Sequence, residues 1–457
     1  MSTANPAPYR PERPRSFFGP LVLIVIGIVL LLATTGRISM HSIGWWFVHY
    51  WPVILIVWGI AKLAEYILAK QRGYPPPRLG AGSIVFLVFF ILFGITATRL
   101  AGVDWSGFRG VFNDSDIDGF DFFGTGYDFT DNFAAPVPDA TQFKILANRA
   151  SIQITPSEDN QAHFVVHKTL RGDSESAANR MNENTRAKFQ QQGSLWVLDM
   201  TGGDYDNGRF TVDLQLPRKP ALSVSTRAGD VSITGRGGPV DASSDHGNIT
   251  AEDISGSASV HLKRGNLSVS KITGDVTVDG TISDSSFSNI GGLVTLNGTY
   301  WGTMQMSHIT KPVHFASSRT DLQFARLDGD FSMEPDELHA SGIVGPFRLV
   351  TRSKGVRLED ISGDVHIEDR NANVELSSKG APGNIDVSNI HGEINLSLPA
   401  NAGFQLDAQS NGAEIESEFN LSINNQGNTA TARGTVGKGG PDVRLRTDHG
   451  TIQIKKQ

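Results

Sequence analysis

Hydrophobic and polar positions follow two different rules along this chain. Over residues 17–99 the apolar positions come in unbroken runs, at 17–35, about 45–68 and about 81–98. Each run is long enough to cross about 30 Å of hydrocarbon. The first and third offer no polar face to water, which a buried core helix of a soluble domain would need. The second carries His49, Lys62 and Glu65. Lys62 and Glu65 lie three apart near one end, where they can pair or reach the head groups. Trp45, Trp46, Tyr50 and Trp51 crowd the other end as an interfacial aromatic belt. The pattern predicts three transmembrane α-helices over 17–99.

Beyond residue 139 the rule becomes alternation. Period-two segments at 143–154, 163–168, 194–200 and 210–216 predict strands, and 173–189 reads as one amphipathic helix capped by Asp173 or Ser174. Together they make a small α+β cap over 139–220. From 221 to 399 a repeat takes over, of the form small, any, apolar, polar, apolar. It runs Gly229-Asp-Val-Ser-Ile, Gly238-Pro-Val-Asp-Ala, Gly247-Asn-Ile-Thr-Ala, Gly256-Ser-Ala-Ser-Val, Gly265-Asn-Leu-Ser-Val and Gly274-Asp-Val-Thr-Val, with starts nine residues apart. A second marker recurs every eighteen residues at Ile254, Ile272 and Ile290, drifts at Ile309 and Leu327, and reappears at Ile361 and Ile390.

Alternation sends two side chains of each unit inward, and a Gly every ninth residue turns the chain. Two nine-residue sides make one coil of eighteen. A coil this short cannot offset its own ordering entropy, so it needs neighbours on both sides. The prediction is an all-β C-terminal β-solenoid with about 18 residues per coil, a rod of roughly 50 Å if ten coils stack at about 4.8 Å. A β-sandwich also places strands every eight to twelve residues, but has no reason to hold an eighteen-residue superperiod. The repeat blurs over 283–349, predicting an irregular patch or a bend. Residues 400–457 read as a C-terminal β cap whose last part, 437–454, is a tight turn and two strands.

Charge separates the two regimes again. Residues 1–100 hold nine Lys/Arg and two Asp/Glu, or +7, and the remainder 31 and 45, or −14. Residues 1–16 form a Pro-rich basic tail predicted to be disordered. A cleaved signal peptide competes for residues 1–35, but Ala33-Thr-Thr-Gly36 is a poor cleavage site and two more apolar runs follow. Arg10, Arg13 and Arg15 in the tail, and Lys70, Arg72 and Arg78 in the second loop, outweigh Arg37 in the first loop. The positive-inside rule then puts the N-terminus in the cytoplasm and, after three crossings, the C-terminal domain outside. The acidic balance gives no reason to expect nucleic-acid binding. Zero cysteine excludes a disulfide scaffold, thiolate zinc sites, iron–sulfur clusters and thiol nucleophiles.

Two resemblances add to this reading. Gly19-Pro-Leu-Val-Leu-Ile-Val-Ile-Gly27 through Trp51-Pro-Val-Ile-Leu-Ile-Val-Trp-Gly59 resembles the LiaI/LiaF-like transmembrane region of bacteria, a hairpin with Trp-Pro before its second helix. This implies a bacterial cytoplasmic-membrane protein linked to envelope-stress signalling. The third run lies outside the matched region. The Gly229-Asp-Val-Ser-Ile units and the terminal Gly450-Thr-Ile-Gln-Ile454 resemble the bacterial "putative adhesin" family of β-solenoid domains, over roughly 140–457.

Candidate chemistry is sparse. In the Gly-, Asp- and Phe-rich linker 100–138, Asp114, Asp116 and Asp118 with Gly119 open a calcium-loop pattern. Position twelve is Thr125 where a bidentate Glu belongs, so a solvated acidic linker competes with a calcium site. Asp245-His246 and Asp448-His449 are the acid–base candidates for a polysaccharide-acting enzyme. Both precede a Gly at the same repeat position, which favours a turn role with Asp accepting backbone N–H groups. No dinucleotide, phosphate-loop or metal-ligand spacing appears, so no catalytic residue, metal or cofactor is expected. The partners expected are the lipid bilayer and either a membrane signalling protein or an envelope glycan. The function expected is a non-enzymatic, membrane-anchored, extracytoplasmic solenoid for envelope sensing or scaffolding. An adhesin-like glycan-binding rod is the alternative.

Overall fold

The computed structural model describes residues 55–56, 125–137, 140–159, 161–172, 174–202, 205, 208–380 and 383–457. The three apolar runs lie outside the described residues, save Leu55 and Ile56, which are helical. Among the described residues no helix is long and apolar enough to cross a membrane. The chain divides into two compact units, Met1–Tyr127 with Arg171–Ala178, and Asp128–Leu170 with Asn179–Gln457.

The second unit is an all-β repeat solenoid with one short helix segment. Its central coils alternate between two parallel stacks of strands. The first stack contains Val231–Arg236, Ile249–Ile254, Leu267–Ile272, Ser285–Ile290 and Met304–Ile309. The second contains Ala221–Ala228, Val240–His246, Ala258–Leu262, Val276–Ile282, Val294–Tyr300 and Val313–Ala316. Pairing advances by eighteen residues, as in Ile249 with Leu267 and Ala258 with Val276, and by nineteen from Ser285 to Met304. That is the superperiod of the sequence. Inward positions of both stacks, such as Ile249, Ala251, Val260, Leu267 and Val278, join one buried core. A shared core is what a coil lacks alone.

The eighteen-residue marker has a backbone cause. Asp253, Lys271, Asn289 and His308 hold φ of 56°, 56°, 55° and 52°, and each precedes a marker isoleucine. A left-handed residue bulges out of the strand, and the next side chain then turns inward. Ile254, Ile272, Ile290 and Ile309 are all buried. Ile361 follows the same rule after Asp360 at φ 54°. Ile390 does not: it is exposed, and Asn389 beside it is buried instead. The Asn389 side chain donates to the Ala372 carbonyl at 2.7 Å, and this hydrogen bond accounts for a polar residue on the inside. In the first coil the marker position is Arg236. Its guanidinium donates to the carbonyls of Pro217 and Pro220 at 2.6 and 2.7 Å, tying the incoming loop to the stack. Burial, helped by nearby Arg218, lowers its pKa to about 10.

At the N-terminal end one long strand, Gln142–Pro156, serves both stacks. It pairs in parallel with Ala221–Ala228 and Val231–Arg236 on one side, and with Leu195–Met200 and Gly208–Leu216 on the other. The helix is shorter than the 173–189 expected. It runs Glu175–Asn184, with the Ser174 hydroxyl accepting the Ala177 N–H. Lys188–Gln192 is a strand because Gly193, at φ 66°, reverses the chain into a hairpin with Leu195–Met200. The linker reading of 100–138 also needs correction, since Thr125–Pro136 is a strand paired with Gln161–Gly172. Its Phe129 and Phe133 pack on the core, and its Asp131 pairs with the fully buried ammonium of Lys168. Gly and Asp in this segment mask an alternation that tertiary packing rewards.

The blurred stretch is a coil wound backwards. After Val313–Ala316 the chain reverses, and Asp321–Met333 runs antiparallel to both that strand and Met304–Ile309. A second reversal follows. Glu337–Ser341 and Ile343–Val350 again lie antiparallel to it, and parallel stacking resumes with Gly355–Glu359 and Val365–Glu368. The two final strands, Asp442–His449 and Ile452–Lys456, exist as expected but do not end the stack. Asp442–His449 lies between Ile385–His391 and Phe404–Asn411, parallel to both. Ile452–Lys456 likewise separates Ile394–Leu398 from Ile415–Ser417. The hairpin of Ser422–Gln426 and Thr429–Val436 extends the far side of Phe404–Asn411.

Candidate functional site

Gly229-Asp230, Gly247-Asn248 and Gly265-Asn266 fall at successive returns from the second stack to the first, and Ser283-Asp284 takes the same place one coil on. The Gly is a packing requirement. A Cβ on Gly247 would sit 2.2 Å from the Gly229 carbonyl oxygen, and Gly247 itself has φ 141°. The Asp or Asn beside it reaches to the next coil. Asp230 accepts the Asn248 N–H at 2.7 Å, Asn248 accepts Asn266 N–H at 2.9 Å, Asn266 accepts Asp284 N–H at 3.2 Å, and Asp284 accepts Thr303 N–H at 2.9 Å. Asp364, Asn384 and Asp442 continue the device in the C-terminal half. These acidic and amide side chains bind coils together.

An open groove of about 420 Å³ follows this ladder, lined by Asn248, Thr250, Asn266, Ser268, Ser286 and Gln305 among others. Thr250, Ser268, Ser286 and Gln305 are in pairing register, one per coil. Their side chains have no hydrogen-bond partner among the described residues. Ser285, which also lines the groove, is buried with an unpartnered hydroxyl. The loop after Val294–Tyr300 leads into the groove wall at Thr303. There Trp301 is 70% exposed, two residues from groove-lining Thr303.

The same stack behaves differently beyond the reversed coil. Arg357 Nε binds Glu359 at 2.8 Å, its Nη1 lies 3.8 Å from Glu375, and His339 lies 3.8 Å from Glu359. The Arg357 hydrogen bond holds the Glu359 carboxyl below its usual range. On the other stack His366 meets Glu368 at 2.9 Å and Asp386 at 3.4 Å, and Arg348 meets Asp321 at 3.1 Å. These charged outward side chains satisfy one another. Among the described residues, Thr250, Ser268, Ser286 and Gln305 of the groove do not.

The structure disperses the sequence candidates. Asp245 forms an ion pair with Lys263 at 2.8 Å, and Asp448 accepts from Asn411 Nδ2 at 3.1 Å. Neither is the backbone acceptor expected; that role belongs to residues such as Asp230, Asn248, Asn266 and Asp284, whose side chains accept the N–H at the same place in the next coil. His246 ends its strand, exposed. His449 stacks on His391 with ring centroids 4.8 Å apart, in the register that joins their strands. His314 lies 3.6 Å from Asp321, and His308 is one of the left-handed residues. Asp114, Asp116 and Asp118 lie outside the described residues. Among the described residues no cluster of His, Asp and Glu has metal-binding geometry. Sequence reading passed over the groove and Trp301. A signal existed: Thr250, Ser268 and Ser286 recur every eighteen residues at one outward position.

One buried acid stands apart. Asp369 is 3% exposed, with one oxygen accepting the Ala372 N–H at 3.0 Å and the other unpartnered. Burial raises its pKa, against the pull of neighbouring backbone N–H groups. A raised folded-state pKa adds stability that is full below the unfolded value and is lost as pH rises through the folded value. Asp369→Asn should therefore melt a few degrees higher than the parent at pH 7, with the gap closing near pH 3. Calorimetric melting across that range checks it; a gap that does not vary with pH contradicts it.

Two family models match the chain. Toastrack DUF4097 matches residues 141–455, and the LiaI-LiaF-like transmembrane region matches residues 17–63. No curated protein matches. Solved structures similar to the chain include a "putative cell adhesion protein" from Clostridium sporogenes, at 11% identity and TM-score 0.16, covering 72% of this chain and 100% of that one. Proteins described as "putative adhesin" from Bacteroides fragilis and Parabacteroides distasonis show 10% and 11% identity and TM-scores of 0.18 and 0.22. Each covers 72% of this chain, with 97% and 98% of their own.

Proposed function

The chain belongs to the Toastrack DUF4097 family, and from that premise we propose that it is a non-enzymatic surface protein that holds its solenoid outside the cytoplasmic membrane on three helices. A LiaI-LiaF-like transmembrane region precedes the solenoid in the same chain, and this pairing carries the reading. The distribution of Lys and Arg supports a cytoplasmic N-terminus, and three crossings then carry the solenoid outside. A binding or scaffolding role is supported by how the outward residues are used. Asp245 and Asp448, the acids best placed by sequence for catalysis, are spent on Lys263 and Asn411. Asp230, Asn248 and Asn266 are spent on coil stacking. What such a surface offers is a regular polar wall for an envelope component.

The chain has no cysteine, so single introduced thiols report topology cleanly. Asn425→Cys, in an exposed strand, should react with a membrane-impermeant maleimide in intact spheroplasts, and Arg15→Cys only after permeabilisation. Protection of Asn425→Cys would overturn the orientation and the surface role with it.

A further inference from the structure

The groove beside the Asp/Asn ladder sets a row of hydroxyl and amide side chains in register within a concave surface. We propose that this groove binds a neutral carbohydrate chain, with Trp301 stacking on a sugar ring at one end. The proposal rests on the reading of the solenoid as a surface-exposed binding wall and names its ligand class.

Three observations converge. The groove of about 420 Å³ presents Thr250, Ser268, Ser286 and Gln305 in register, one per coil, with donors and acceptors that no group among the described residues uses. Coil stacking repeats them at about 4.8 Å. In the equivalent column beyond the reversed coil, Arg357 binds Glu359 and Glu375 and His339 lies 3.8 Å from Glu359, so members of that column are engaged with other side chains where those of the groove are not. Finally, Trp301 stands 70% exposed on the loop whose Thr303 N–H donates to Asp284 in the groove wall. Its own N–H donates to the Ile282 carbonyl at 3.0 Å, which fixes the backbone that presents the ring.

The ligand class follows from what the groove holds. A sugar ring has hydroxyls around its rim and an apolar C–H face. The rim suits the hydroxyl and amide row, and the face suits an indole, which combines a flat apolar body with a polar tip. A protein partner would need an apolar, desolvated centre, and the outward groove positions are polar. A polyanion would need cations, whereas the charge in the groove lining is the Asp284 carboxylate. The ligand is therefore neutral.

The test uses the full chain in lipid nanodiscs and calorimetric titration with hexamers of glucose, of N-acetylglucosamine and of galacturonate. One of the two neutral hexamers should bind, and the galacturonate should bind more weakly. Trp301→Ala removes an exposed side chain without a core contact and should weaken binding about tenfold or more. Ser268→Arg, which fills the middle of the groove, should abolish it. Gln453→Arg, in the same column beyond the reversed coil, should leave it unchanged. No binding by either neutral hexamer, preference for the anionic one, or binding indifferent to both groove variants would each overturn the site. Those results leave the maleimide pattern untouched, so failure of the groove is distinguishable from failure of the surface reading.

Discussion

Gly265→Ala should be among the most damaging single-methyl changes this protein can suffer. A Cβ at Gly265 would lie 1.9 Å from the Gly247 carbonyl oxygen, and φ there is 150°. The obstruction is backbone of the adjacent coil, which is held by its own ladder on both sides, so no side chain can swing away to relieve it. The strand that follows, Leu267–Ile272, would have to retreat from Ile249–Ile254 and lose the Asn248 to Asn266 bond. A cost of about 4 kcal/mol is expected, a large share of a typical folding free energy. Gly380→Ala is the matched control. Nothing lies within 4 Å of a Cβ there and its φ is not in the left-handed region, so the change should be neutral or stabilise by a few tenths of a kcal/mol. Urea denaturation of the two variants checks both. Equal midpoints would mean that the adjacent coil yields to the methyl group and that neither close contact between coils nor the positive φ fixes the repeat's glycines.

Removing residues 442–457 should be more severe than any point change. These residues form the coil that lies between Ile385–Leu398 and the strands Phe404–Asn411 and Ile415–Ser417. Val443, Leu445, Ile452 and Ile454 are all at most 1% exposed. At about 1.5–3 kcal/mol each, their burial is worth roughly 6–12 kcal/mol as an upper bound. The deletion also leaves two sheet edges facing an empty layer, with unpaired backbone groups on each. The expected result is loss of ordered structure over about 399–441, read as rapid proteolysis there, with aggregation through the exposed edges. A terminal layer shed without harm would instead leave the preceding coils and that hairpin resistant to protease. Survival of residues 404–436 as a protected fragment would show that the coil is an accessory layer.

The inward set was open to sequence reading because the physics is local. A strand shows its buried face by alternation, and a Gly that must admit a neighbouring carbonyl recurs once per contact. Ile254, Ile272 and Ile290 even reported the coil length, although the left-handed Asp253, Lys271 and Asn289 that create the marker were invisible until φ was known. Asp245 and His246 drew attention because acids and histidines are the usual agents of catalysis, yet Asp230 and Asn248 hold the ladder. Side-chain identity alone does not separate a carboxylate that points along the stack from one that points outward. Trp301 was missed for the opposite reason. A tryptophan in an alternating chain reads as core, and only its place in the corner loop leaves it exposed.

By itself the sequence determined the repeat length, the residues of the interior, the all-β solenoid and the apolar segment of LiaI-LiaF type before it. Tertiary structure alone decided which coil stands beside which, and in which direction the chain runs. Asp321–Met333 has the same inward alternation as its neighbours but travels the opposite way, because period two is identical in parallel and antiparallel pairing. Asp442–Lys456 could complete any coil edge by its pattern. It takes the slot between Ile385–Leu398 and Phe404–Asn411 while the remaining hairpin pairs on the far side of Phe404–Asn411, a choice made across sequence separations far longer than one coil. Local alternation fixes which side of a strand is buried; long-range pairing, loop reach and the competition between edges fix its neighbours.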